Sequence, residues 1–161
     1  MLNPTPVDTF SPVSDDEIRA FVGNNSEYYV ANFAKFMVGG IDNFTLTWNW
    51  SAFGFTFVWM LYRKMYWQAA VTFVIFCTPG VNLLLHVLVG CAGNYLYFKH
   101  AKSKILEVRR HSSAQSLYPS LHQIGGVHSW AITVGIVVAL FLIVLFSWFF
   151  ATISTMMMHF L

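Results

Sequence analysis

Charge is what this sequence has least of: seven acidic and nine basic side chains among 161 residues. Soluble domains of that length cover their surface with polar groups, about a quarter of their residues being charged. A water-soluble globular fold is therefore excluded, and lipid must cover part of the surface. Cysteine is nearly absent as well. Cys77 and Cys91 both fall inside apolar stretches, where they read as small packing residues and not as a disulfide framework. The opening MLNPTPVDTF lacks a basic n-region and an apolar h-region. No cleaved signal is expected from it, and insertion would rely on internal segments. Also missing are GxSxG, HExxH, Walker and paired-acid patterns, and the Ser, His and Asp residues are scattered. Neither an enzyme nor a cofactor is expected.

What the sequence has in quantity is apolar surface, 57% of residues, with 18% aromatic. Residues 1–13 carry Pro4, Pro6 and Pro12 and read as an irregular tail. Ser14-Asp15-Asp16-Glu17 has the spacing of a capping box. Ile18, Phe21, Val22, Tyr29, Phe33 and Phe36 follow at helical spacing. The pattern predicts one amphipathic helix over 14–40, stopped by Gly39-Gly40. Residues 41–161 would then form the membrane domain. Within it, 43–62 is uncharged and long enough to cross a bilayer, yet its first half holds Thr45, Thr47, Asn49 and Ser51 among tryptophans. It reads as an interfacial or re-entrant segment or as a span, with the first preferred. Residues 66–98 are too long for one straight span and are punctuated by Pro79-Gly80, which predicts a helical hairpin with arms of about fifteen and eighteen residues. Basic residues flank both of its ends, placing both in the cytoplasm. Residues 99–126 form a basic cytoplasmic loop, helical at first. A transmembrane helix over 127–157 follows, with Trp130 and Trp148 about 27 Å apart.

Trp48-Asn49-Trp50-Ser51-Ala52-Phe53, then Trp59 and Tyr62-Arg63-Lys64-Met65-Tyr66, make a distinctive block. Gly90, Asn94, Tyr95, Tyr97, His100, Lys102 and Lys104 make a second, and Gly125-Gly126-Val127 a third. Together with Phe21, Asn25, Tyr29 and Phe33, they resemble an uncharacterised bacterial membrane-protein family, a domain of unknown function. Its pattern reads WNWxAF…W…YRKMY, then GxxxNYxY…H, then GGV. The similarity covers roughly residues 17–135. It departs at Gly54-Phe55-Thr56-Phe57-Val58, where family members commonly carry a Gly-Pro. Some relatives have a zinc ribbon whose cysteines are missing here. The resemblance implies the bacterial inner membrane and no particular activity.

Several residues are candidates for interaction. Trp48, Asn49, Trp50, Arg63, Lys64 and Tyr66 would gather aromatic surface and charge at one interface, as anchors or as a site for a partner. Lys99, Lys102, Lys104, Arg109 and Arg110 would either face anionic lipid or simply mark topology. Gly90 and Gly93 beside Asn94 suggest close helix packing, within the chain or in a homo-oligomer. His86 lacks any neighbouring carboxylate and reads as a hydrogen-bonding residue between helices. Met156-Met157-Met158-His159 cannot converge on one metal from consecutive helical positions and reads as an apolar tail; no metal site is expected. Nucleic acid is not an expected partner.

The expected architecture is an all-α membrane protein: cytoplasmic amphipathic helix, aromatic interfacial or re-entrant segment, transmembrane hairpin, basic cytoplasmic loop and C-terminal transmembrane helix. The expected function is that of a non-catalytic accessory or scaffolding subunit binding other membrane proteins and anionic lipid. The alternative is a small oligomeric channel or transporter component. The expected location is the bacterial inner membrane, multi-pass, with a cytoplasmic N-terminus.

Overall fold

Helices carry most of the chain in the computed structural model, which describes residues 12–78 and 80–159. In order they are α1 (Asp15–Val22), α2 (Ser26–Phe33), β1 (Met37–Val38), β2 (Ile41–Asp42), α3 (Trp50–Tyr62), α4 (Tyr66–Phe76), α5 (Asn82–His111), α6 (Leu117–Ile124) and α7 (Trp130–His159). The tail expected over 1–13 lies outside the described residues save for its last two positions, as does Pro79 at the expected hairpin turn.

The capping box forms: the Glu17 amide donates to Ser14 Oγ at 3.3 Å, and the Ser14 amide donates to Glu17 Oε2 at 2.8 Å. The single helix expected over 14–40 does not form. It breaks at Gly23 (φ 65°) and Asn25 (φ 62°), both left-handed, and α2 ends at Phe33. Gly39 and Gly40, read above as a helix stop, instead have φ 64° and 79° and turn a two-residue β-hairpin, pairing Met37 with Asp42 and Val38 with Ile41. The apolar spacing was sound; the breaks re-aim it. Ile18, Phe21, Tyr29, Phe33 and Phe36 all remain buried.

They close a core against the second half of α5 and against α6. Phe33 lies 5.8 Å from the Tyr97 ring and 5.3 Å from Phe98, and Ile105 and Leu121 are fully covered. The expected basic loop over 99–126 is thus mostly helix. α5 runs unbroken to His111, its last turn rich in cations that suit the negative end of the dipole. α6 then packs back on α1.

The core continues into the other half through Ala52, Trp59, Met60, Ala69, Leu85 and Val89, where α3 packs on α4 and α5. α3 kinks at Thr56 (φ 37°, ψ −109°), so the chain bends there without a proline. α4 has 11 residues, shorter than the expected first arm, and α5 returns beside it after a turn in which Gly80 has φ 86°. α7 leans on α3, where Gly135 sits against Val58. Beyond that contact its apolar side chains are open, with Ile136, Leu140, Phe146 and Trp148 all exposed. It is the one helix among the described residues long and apolar enough to cross a membrane, 29 residues from Trp130 to Met158.

Candidate functional site

Segment 42–64 runs down α5 and comes back. At its start Asp42 receives Lys99 at 3.3 Å and Lys102 at 2.5 Å. The chain then descends in extended form. Phe44 packs edge-on against Tyr95 at 5.0 Å, the Thr47 amide donates to the Cys91 carbonyl, and the Asn49 amide donates to the Gly90 carbonyl at 2.9 Å. Nine residues of helix separate Lys99 from Gly90, a descent of about 13 Å. α3 starts there, capped by Asn49 Oδ1, which accepts the Ala52 amide at 2.9 Å. It climbs back until Trp59 meets Tyr97 at 6.1 Å and Arg63 reaches α1. Both ends of the segment therefore lie at the basic end of α5.

Two glycines let α3 approach. A Cβ on Gly93 would lie 2.8 Å from Ala52 Cβ, and one on Gly90 would lie 2.9 Å from Phe53 Cβ. Beside them sits a closed polar joint. Asn94, with 0% of its surface exposed, accepts from Asn49 Nδ2 at 2.7 Å and donates to Tyr28 Oη at 3.0 Å and Thr47 Oγ1 at 3.2 Å. Tyr28 in turn donates to the Trp48 carbonyl at 3.1 Å. A buried amide left unpaired costs about 1–3 kcal/mol, so every member of such a cluster must be served. Tyr28 and Thr47 were not singled out in the sequence.

Arg63 is not at a lipid boundary. Only 3% of it is exposed, and its guanidinium donates to the carbonyls of Val22 at 3.3 Å and Asn24 at 3.2 Å, capping the negative end of α1. Three aromatic faces surround it: Tyr29 at 4.5 Å, Tyr97 at 5.2 Å and Tyr62 at 5.7 Å. The expected snorkelling cation is a latch between α3 and α1. Lys64 also turns inward, its Nζ donating to the Ile124 carbonyl at 3.2 Å and to that of Gly125; burial pulls its pKa down. Tyr66 stays exposed and meets His128 Nδ1 at 2.6 Å.

The basic run is largely compensated. Besides the Asp42 pairs, Lys104 meets Glu107 at 2.8 Å, and buried Arg109 grips Glu17 from Nε at 2.5 Å and from a second nitrogen. Burial would raise the Asp42 carboxyl, but Lys102 and Lys99 outweigh it and hold its pKa below the usual range. Glu17 behaves likewise: burial opposes ionisation, while Arg109 and both Ser14 donors prevail. Arg109 is therefore part of the packing and not of a lipid-facing surface, while Lys99, Lys104 and Arg110 still reach outward.

What faces outward from the segment is large apolar side chains interleaved with the small polar Asn43, Thr45 and Ser51. Trp50 is 73% exposed and Leu46 69%, with Phe44 and Trp48 beside them. Asn49, by contrast, is buried. The backbone here is unusual. The amides of Phe44, Thr45, Leu46 and Trp48 meet no acceptor among the described residues. His86 does not join helices by a hydrogen bond. Its Nδ1 approaches the Asn82 carbonyl of its own helix at 2.9 Å, and its ring sits between Phe53 and Phe76.

Compared with known proteins, the chain matches no family model, no curated protein and no solved structure. The resemblance of the Trp48–Tyr66 block rests on its motif residues alone.

Proposed function

We propose that this chain is a non-catalytic, multi-pass protein of the bacterial inner membrane, an accessory or scaffolding subunit that binds other membrane proteins. In this reading α7 crosses the bilayer, and the α4–α5 hairpin and segment 43–62 enter from the cytoplasmic side. The core of α1, α2, α6 and the second half of α5 lies in the cytoplasm. Basic side chains gather at that end, and none occurs in α7.

One observation carries the partner. Hydrocarbon tolerates extended backbone only where protein or water covers it. The amides of Phe44, Thr45, Leu46 and Trp48, without an acceptor among the described residues, lie beside α5, yet Phe44, Leu46 and Trp50 are poor company for water. A membrane segment of another protein, apolar but with hydrogen-bond acceptors, suits both. Lys99, Lys104 and Arg110 supply a weaker attraction for anionic lipid headgroups.

Co-purification from gently solubilised membranes tests this reading. A Trp50→Ala variant should stay inserted and lose its partner, whereas His86→Ala should keep it. If His86→Ala abolished the cellular role with assembly intact while Trp50→Ala behaved as wild type, the scaffold reading would be dropped. The kinked, half-length α3, starting well below the basic end, favours a second reading as an oligomeric channel or transporter component. A pure homo-oligomer as the only recovered species would support that.

A further inference from the structure

The membrane-facing sides of the molecule differ in length. α4 and α7 start level, because the Tyr66 hydroxyl at the head of α4 touches His128, two residues before α7. From there α4 descends about 16 Å, and α5 between Asn82 and Phe98 covers about 25 Å. A bilayer's hydrocarbon is about 30 Å thick, so the hairpin stops short of the far boundary that α7 passes easily, by roughly 5 Å along α5 and roughly 14 Å along α4.

The tip is not suited to hydrocarbon. Thr78 and Asn82 are exposed there, and α5 begins without a side-chain cap, leaving the amides of its first turn open. Such groups need water or a protein acceptor, and thinning a bilayer by a few ångström is the smaller cost.

We propose that the face built by the α4–α5 hairpin thins the bilayer locally, and that the protein prefers phospholipids with short acyl chains. This rests on the membrane placement given above. The same face then has two boundaries: basic residues and Tyr66 on the near side, and Thr78 and Asn82 on the far one.

Native Cys77 is exposed at the tip and reports its surroundings. The full chain carrying Cys91→Ala would be placed in nanodiscs of phosphatidylcholine with fourteen-, eighteen- or twenty-two-carbon monounsaturated chains and treated with a membrane-impermeant maleimide. Two reporters in a Cys77→Ala, Cys91→Ala background complete the set: Leu140→Cys near the middle of α7 and Thr155→Cys near its end. Cys77 should react readily in the thinnest bilayer and at least tenfold more slowly in the thickest, with Thr155→Cys constant and Leu140→Cys silent. A Cys77 silent at every chain length leaves the tip in hydrocarbon and overturns the proposal, and so does labelling independent of chain length. Reaction of Leu140→Cys would instead overturn the membrane placement itself.

Discussion

Replacing Glu17 with Gln removes one charge from a pair whose side chains are only 3% and 4% exposed. The carboxylate receives donors alone: Arg109 through two nitrogens, and Ser14 through its amide and hydroxyl. A glutamine offers one oxygen and turns an NH2 toward donors. Arg109 would keep its bond to the Pro12 carbonyl but lose its two charge-assisted bonds to this carboxylate. Weakening buried hydrogen bonds to a charged group costs about 1.5–3 kcal/mol. For a chain of this size that lowers the melting temperature by roughly 5–10 °C. pH gives a second handle. The folded pKa of Glu17 lies below the ordinary 4.5, so its contribution is complete above that value and fades as pH falls through the lower folded pKa. The gap between wild type and Glu17→Gln should close in acid. Thermal unfolding of the detergent-solubilised chain at neutral and acid pH measures all of this. A variant as stable as wild type at neutral pH would refute the reasoning.

Gly93→Val should push α3 off α5, since even a Cβ would meet Ala52 Cβ at 2.8 Å; a loss of about 1–3 kcal/mol is expected, and an unchanged melting temperature would deny the close crossing. Asn94→Ala should cost about 1–3 kcal/mol, chiefly by leaving the buried Asn49 side-chain amide without its acceptor, read by the same unfolding assay. His100 has its pKa lowered from 6.5, by burial and then by Lys104, so the unfolded chain takes up a proton first. Stability should decline as pH falls from about 6.5 through the lower folded value, and His100→Phe should flatten that slope; an equal slope would move the titration elsewhere.

Composition alone set the expectation of lipid, because sixteen charges in 161 residues poorly clothe a soluble surface, and apolar periodicity set the helical class that the fold shows. Local chemistry determined the capping box at Ser14–Glu17 and the long apolar helix from Trp130, since both depend on near neighbours only. The polar first half of 43–62 set this segment apart from the other apolar runs in the sequence. Its path was not readable there, because the pairing of Asp42 with Lys99 and Lys102 joins residues far apart in sequence. Tertiary structure also decided which polar residues stay outside. Arg63, Asn49 and Arg109 look alike in sequence to surface anchors, but each has found partners across the fold: Val22 and Asn24, Asn94, and Glu17. Helix breaks at Gly23 and Asn25 were hidden for the same reason. A left-handed φ at those positions pays off only once the shortened helices can fold their aromatic faces onto α5.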